Sequence, residues 1–373
     1  MESKKLIPEL RFPEFSGEWI EKRLGEVCEI VMGQSPDSKF YNQNKNGLPL
    51  IQGANDFEKI NNYTTQITKI CEKNNIIMSV RAPVGTLTKA KQKSCIGRGV
   101  CAIKGNDFIY YVLIKNQRKL KIYSQGTTFE AINSKDLKSL KIHIPPTLKE
   151  QQKIASFLSA VDEKIEITAK RIEKLKEYKK GLLQKLLNVK NGVPELRFPE
   201  FSGKWVEKRL GEIATIKKGI QLNKLNMIEN GQYPVINGGI EASGHTNDFN
   251  TNENTITISE GGNSCGYVNF IKTKFWCGGH CYKLESIKVN KKYLYFILKK
   301  EETKIMRLRV GSGLPNIQKN DLVKYKLYFP PTIEEQQKIA SFLSSIDEKI
   351  ELNEQILDKM KEYKRGLLQK MFV

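Results

Sequence analysis

The densest group of reactive side chains is Cys265 with Cys277-Gly-Gly-His280-Cys281, which offers enough nitrogen and sulfur donors for a zinc ion. Its spacing matches neither a finger nor a ribbon, and neighbouring His280 and Cys281 would point to opposite faces of a strand. Cys281 also aligns roughly with Cys101, in a stretch that lacks the rest of the group. The cluster therefore reads as buried cysteine rather than as a metal site. His143, His245 and His280 stand in no triad order beside a nucleophile. Gly311-Ser-Gly313 lacks both the Lys-Ser/Thr ending of a phosphate loop and the strand-to-helix context of a dinucleotide fingerprint. Methylating adenine would need an Asn/Asp-Pro-Pro-aromatic motif to hold the flipped base, and the two Pro-Pro pairs follow Ile144 and Phe329 instead. The expectation is a chain with no catalytic residues, no metal and no cofactor of its own.

The remaining chemistry is that of cations and amides facing a polyanion. Lys and Arg number 62 against 41 Asp and Glu, a net charge of +21, with a pI near 9.5. Nucleic acid is the commonest intracellular partner for such an excess. Candidate contacts on Gly-rich loops of the first half are Gln34, Ser35, Arg81, Lys89, Lys91, Lys93, Arg98, Gln125, Thr127 and Thr128. In the second half they are Lys217, Lys218, Gln221, Asn237, His245, Asn263, Lys272, Lys274, Ser312 and Asn316. Arginine pairs bidentately with guanine and Asn or Gln with adenine, while Lys, Ser and Thr more often meet phosphates. The set carries more weight than any member, since each could equally be a solvated side chain.

An internal duplication positions these residues. PELRFPEFSG occurs at Pro8–Gly17 and at Pro194–Gly203, and the match runs on through Trp19/Trp205 and EKRLGE. A second repeated block starts at Pro145-Pro146-Thr147 and Pro330-Pro331-Thr332 and contains EQQKIASFLS, DEKIE, KEYK and GLLQK twice. Between the blocks lie two diverged stretches, 31–143 and 217–328, which carry net charges of +11 and +8 and so hold most of the total. Both alternate short β-rich runs, such as Leu48–Ile51 and Thr255–Ile258, with Gly, Asn and Pro. Helical patterns, Phe108 to Leu120 and Tyr293 to Met306, close each one. Phe12, Phe15 and Trp19 of the anchor are taken as packing residues.

The second block reads as a long helix in both copies. Thr147 with Glu150, and Thr332 with Glu335, have the capping-box spacing just after Pro-Pro. Apolar positions then alternate by four and three, a heptad seam. In the first copy these are Ile154, Leu158, Val161, Ile165, Thr168, Ile172, Leu175 and Leu182. In the second they are Ile339, Leu343, Ile346, Ile350, Asn353, Leu357, Met360 and Leu367. Each stripe needs a partner, and the other copy supplies one; an antiparallel pair would allow Thr168 and Asn353 to face each other as a polar layer.

The predicted fold is α+β: two homologous globular domains, each a twisted and mostly antiparallel sheet with helices, joined by an antiparallel intramolecular coiled coil with pseudo-twofold symmetry. The segments are 1–143 and 191–328, each with its anchor, and the helices 144–190 and 329–373. This doubled pattern resembles the specificity subunit of a type I restriction-modification system over essentially the whole chain. The resemblance implies two target recognition domains that read the halves of a split double-stranded DNA site, and helices that set the gap and dock two modification (methyltransferase) subunits. It also implies that S-adenosylmethionine, ATP and Mg are used by the modification and restriction subunits, and it carries over no catalytic residue. No apolar run is long enough to span a membrane. The opening MESKKLIPELRFPEF has no apolar core of a signal, and seven irregularly spaced cysteines suit a reducing cytoplasm. Two other readings stay open: a self-contained DNA methyltransferase or nuclease, which would bind S-adenosylmethionine alone, and a nucleic-acid adaptor indifferent to sequence, which would bind scrambled duplexes equally.

Overall fold

The computed structural model describes residues 6–124, 131–311, 313 and 315–373. The chain divides into two compact units, Met1–Thr168 with Ile356–Val373, and Ala169–Gln355. Each long helix, Leu148–Leu187 and Ile333–Lys370, therefore belongs in part to both units, whereas the repeat alone marks the helices off as separate segments.

In the first unit a four-stranded antiparallel sheet has the order Glu29–Met32, Val100–Lys104, Ile76–Ser79, Leu87–Lys89. Ile76–Ser79 is buried throughout, which explains its unbroken apolar run in place of an alternating one. A second sheet of five short strands is antiparallel except where Leu48–Ile51 runs parallel to Ser94–Ile96. A further pair, Ile20–Arg23 with Lys141–Ile144, ties the anchor to the strand before the long helix. The second unit repeats the plan. Its four-stranded sheet runs Thr215–Lys218, Cys281–Glu285, Thr255–Ser259, Val268–Ile271; its smaller sheet pairs Tyr233–Ile236 in parallel with Trp276–Cys277; and Val206–Arg209 pairs with Lys326–Phe329. The mostly antiparallel α+β expectation holds in both.

One helical pattern is corrected. The stretch from Phe108 to Leu120 is two helices, Asp107–Lys115 and Gln117–Ser124. They part at Asn116, whose side-chain amide turns back to donate to the Val112 carbonyl at 2.9 Å. The counterpart, Lys291–Met306, is continuous.

Trp19 is buried and meets Phe108 edge-on at 5.6 Å; Phe108 in turn stacks on Phe372 at 5.3 Å. Phe12 packs edge-on against Phe157 on the long helix, and Phe15 is half-buried. The hydroxyl of Thr147 accepts the Glu150 N–H at 3.3 Å, as the capping pattern requires. The other half of the expected box is replaced: the Glu150 carboxylate holds Arg11 and the indole N–H of Trp19. Thr332, Glu335, Arg197 and Trp205 repeat this in the second unit.

The seam residues Ile154, Leu158, Val161, Ile165, Ile172, Leu175 and Leu182, with Ile339, Leu343, Ile346, Ile350, Leu357, Met360 and Leu367, are all buried or half-buried. The pairing is antiparallel within each unit. In the first, Asp162 meets Lys364 at 2.5 Å while Thr168 lies 3.9 Å from the Met360 sulfur. In the second, Lys176 meets Glu354 at 2.6 Å while Lys179 meets Asp347. Thr168 therefore does not face Asn353: its layer is filled by Met360, one heptad further on. Both polar groups are satisfied inside their own helices, Thr168 donating to the Lys164 carbonyl at 2.8 Å and Asn353 to that of Lys349 at 2.6 Å.

Candidate nucleic-acid interface

In the first unit the parallel pairing of Leu50 and Ile51 with Cys95 and Ile96 puts two strand ends side by side. Past those ends the chain turns at Gln52-Gly53 and at Gly97-Arg98-Gly99. Crowding forces glycine at position 99, where a Cβ would lie 2.0 Å from the Gln52 carbonyl oxygen, and at position 33 on the neighbouring loop, where one would lie 2.1 Å from the Gly97 carbonyl oxygen. A third loop arrives at Arg81, which bridges to Ala131, and the Ser79 hydroxyl donates to the Arg81 carbonyl at 2.7 Å. Together these loops line a cleft of about 280 Å³ whose side chains include Ser35, Gln52, Arg81 and Arg98. Ser35 Oγ accepts the Arg98 backbone N–H at 3.2 Å, and Gln52 donates to the Tyr41 hydroxyl at 2.8 Å.

Thus three of the residues expected from sequence, Ser35, Arg81 and Arg98, are brought together, with exposed Gln34 on the same loop as Ser35. Lys89, Lys91 and Lys93 do not line this cleft. Lys89 pairs with Asp107 at 2.8 Å and lies over the Tyr110 ring; Lys93 pairs with Glu72 at 3.0 Å. Gln125, Thr127 and Thr128 lie outside the described residues, as does Ser312.

The second unit has the same frame with other side chains. Val235 and Ile236 pair in parallel with Trp276 and Cys277, so Asn237 takes the place of Gln52 and Gly278-Gly279-His280 that of Gly97-Arg98-Gly99. Asn237 Oδ1 accepts the His280 backbone N–H at 3.1 Å, and Gln221 packs against Gly279. Gly261 occupies the place of Arg81, bridged to Asn316 as Arg81 is to Ala131. Beside it Glu260 accepts from Lys218 at 2.6 Å and from the Tyr282 hydroxyl at 3.0 Å. Burial first, and then this carboxylate, push the Tyr282 phenol above its ordinary range.

The other second-half candidates are elsewhere. Lys217 pairs with Glu285 at 2.7 Å, and Lys272 with Glu351 of the long helix at 2.5 Å. Lys274 lies 4.5 Å over the Phe249 ring. His245 is exposed on the strand Gly244–Thr246, and Asn263 is exposed on a turn. Gln52 and Glu260 are not among the residues the sequence singles out, and His280 is weighed there only for metal binding and catalysis. Gln52 had a signal, because Leu48-Pro-Leu-Ile-Gln52-Gly aligns with Tyr233-Pro-Val-Ile-Asn237-Gly.

All seven cysteines are buried without disulfides. Among the described residues no group of three or more His, Cys, Asp or Glu is placed to hold a metal. Cys265 donates to the Glu260 carbonyl, Cys277 to that of Cys281 and Cys281 to that of Tyr282; the proximity of the last two thiols lowers Cys277 and raises Cys281. No helix of the described residues is long and apolar enough to cross a membrane.

Comparison with known proteins fits this doubled frame. The family described as "Type I restriction modification DNA specificity domain" matches residues 16–177 and again 202–362. The type I restriction enzyme MjaIX specificity subunit of Methanocaldococcus jannaschii is 25% identical over 95% of this chain and 92% of its own length. The MjaX specificity subunit of the same organism is 39% identical over 189 residues, 48% of this chain; that match spans 44% of the relative, so this chain covers under half its length. The crystal structure of a type I restriction-modification S subunit from M. genitalium has the same fold, with a TM-score of 0.74 over 98% of this chain and 99% of that one at 22% identity. The chain belongs to the type I restriction-modification DNA specificity family, with two copies of its domain.

Proposed function

We propose that the chain is the specificity subunit of a type I restriction-modification complex and recognises double-stranded DNA by sequence. Each recognition domain reads one half of a bipartite target, and the long helices set the unread gap and dock two modification subunits. Methyl transfer from S-adenosylmethionine and ATP- and Mg-dependent cleavage fall to those subunits and to restriction subunits, leaving this chain non-catalytic and cytoplasmic. The observation that carries this reading is the pair of homologous frames whose loop ends bear different side chains, Gln52, Arg81 and Arg98 in one and Asn237, Gly261 and Gly279 in the other. Identical readers would give a palindrome; divergent ones give an asymmetric site.

The test is to map modified adenines in a host carrying this chain and its modification subunits, before and after exchange of segment 31–143 for that of an unrelated member. One half-site should change while the other and the gap stay. An unaltered set of modified sites would overturn the proposal.

A further inference from the structure

Arg81 and Arg98 line one cleft, are exposed, and have neither a hydrogen-bond nor an ion-pair partner for their guanidinium groups among the described residues. That sets them apart from Arg11 and Arg197, whose guanidinium groups are held by Glu150 and Glu335. Among the described residues no carboxylate lines the cleft. Up to ten guanidinium N–H donors therefore border it with no partner among the described residues.

We infer that Arg81 and Arg98 are the guanine readers of the first recognition domain, and that the half-site read by the second domain has no arginine-read guanine at the corresponding place. The inference rests on the proposed reading of duplex DNA and assigns its base specificity. Guanine presents O6 and N7 as a pair of acceptors in the major groove, which the planar fork of arginine matches with two parallel hydrogen bonds.

Two observations favour a base edge over a phosphate. First, the backbones beneath both arginines are fixed: Arg98 donates its N–H to Ser35 Oγ and precedes Gly99, where a Cβ would lie 2.0 Å from the Gln52 carbonyl oxygen, and Arg81 is held by its bridge to Ala131 and by the Ser79 hydroxyl. Such anchoring suits a directional contact, which loses strength with small misalignment. Second, the pair is present in only one of two homologous frames. Phosphates are the same at every half-site, so a phosphate clamp would serve both domains equally. Side chains that differ between the copies are those that meet what differs between the half-sites. At the corresponding places the second domain has Gly261 and Gly279, and its nearby carboxylate, Glu260, is already engaged by Lys218 and Tyr282.

The experiment uses the full chain with its modification subunits and reads the modified sites across a genome. Variants are Arg81→Lys and Arg98→Lys, which keep the charge and lose the fork. The half-site that changes on exchange of 31–143 should contain guanine, and each variant should relax the preference for guanine at one of its positions by about tenfold or more. The other half-site and the gap should be unchanged, and their retention in the same sites reports that the variant is folded. A first half-site without guanine, or lysine variants that keep the full preference, would overturn the inference. So would an equal weakening at all sequences with a shallower salt dependence, which is the behaviour of a phosphate contact. If the unaltered chain directs no bipartite modification at all, the specificity reading itself fails and the inference with it; a relaxed guanine preference cannot be confused with that outcome.

Discussion

The Arg11 guanidinium grips both oxygens of the Glu150 carboxylate, from Nε at 2.8 Å and from Nη2 at 2.9 Å, while its remaining donors hold the carbonyls of Ser16 and Gly17. Glu150 is 1% exposed and also accepts from the Trp19 indole. The repeated anchor is thereby fastened to the first turn of the long helix, and Arg197 with Glu335 and Trp205 does the same in the second copy.

Glu150→Ala removes the counter-charge of the Arg11 guanidinium and the acceptor of the Trp19 indole N–H in a buried place, so the first unit should lose about 3–5 kcal/mol in denaturant unfolding. Glu14, which pairs with Lys153 on the surface, is the control, and Glu14→Ala should leave the midpoint nearly unmoved. Equal effects of the two substitutions would show that the anchor is not held by this pair.

The half-buried seam pair Asp162–Lys364 fixes the antiparallel register in the first unit. Asp162→Lys and Lys364→Asp should each destabilise, and the double exchange should recover most of the stability. A double-mutant cycle should give a coupling of about 1 kcal/mol. Independent, additive effects would mean that the two residues do not meet.

Glu301 supplies a pH dependence. Burial would raise its pKa, but the Lys300 and Lys304 ammonium groups and the Tyr325 hydroxyl more than offset that, leaving the carboxyl below its ordinary 4.5. A carboxyl with a lower pKa folded than unfolded stabilises fully above the unfolded value and loses that contribution as pH falls through the folded one. The second unit should therefore weaken as pH drops below about 4.5, and Glu301→Gln should flatten that slope in thermal melts taken from pH 6 to 3. An unchanged slope would show that other carboxylates set it.

What was legible in the sequence is what local spacing dictates. Thr147 as a cap, Trp19 as core and the four-three stripe from Ile154 to Leu182 each follow from residue type and period. Helix pairing was legible too, though not its register, because a seam repeating every seven residues fits equally well one heptad along; Thr168 therefore meets Met360 instead of Asn353. The cleft was only partly legible. It depends on Leu48–Ile51 lying parallel to Ser94–Ile96, a pairing across more than forty residues that no turn signal announces. Charge counting missed the ion pairs for the same reason: Lys272 and Glu351 are 79 residues apart, and the composition records both as free.

That last pair gives a prediction about binding. Lys272 lies beside Phe270 and Tyr295 in a groove that the long helix borders with Asp347 and Glu351, and its ammonium is neutralised by the Glu351 carboxylate. It has no counterion to displace from DNA. Lys91, in contrast, is exposed on the turn between Leu87–Lys89 and Ser94–Ile96 and has no ion-pair partner among the described residues. Removing one lysine that neutralises a phosphate reduces the slope of log K against log salt by about one. Binding isotherms of the assembled complex on its own target, taken over a salt series, should thus show Lys272→Ala with the slope of the unaltered chain. Lys91→Ala should have a slope shallower by about one and a uniform weakening across sequences. The opposite ranking would place the DNA against the long-helix side of the second unit and overturn the assignment of the loop ends as the reading surface.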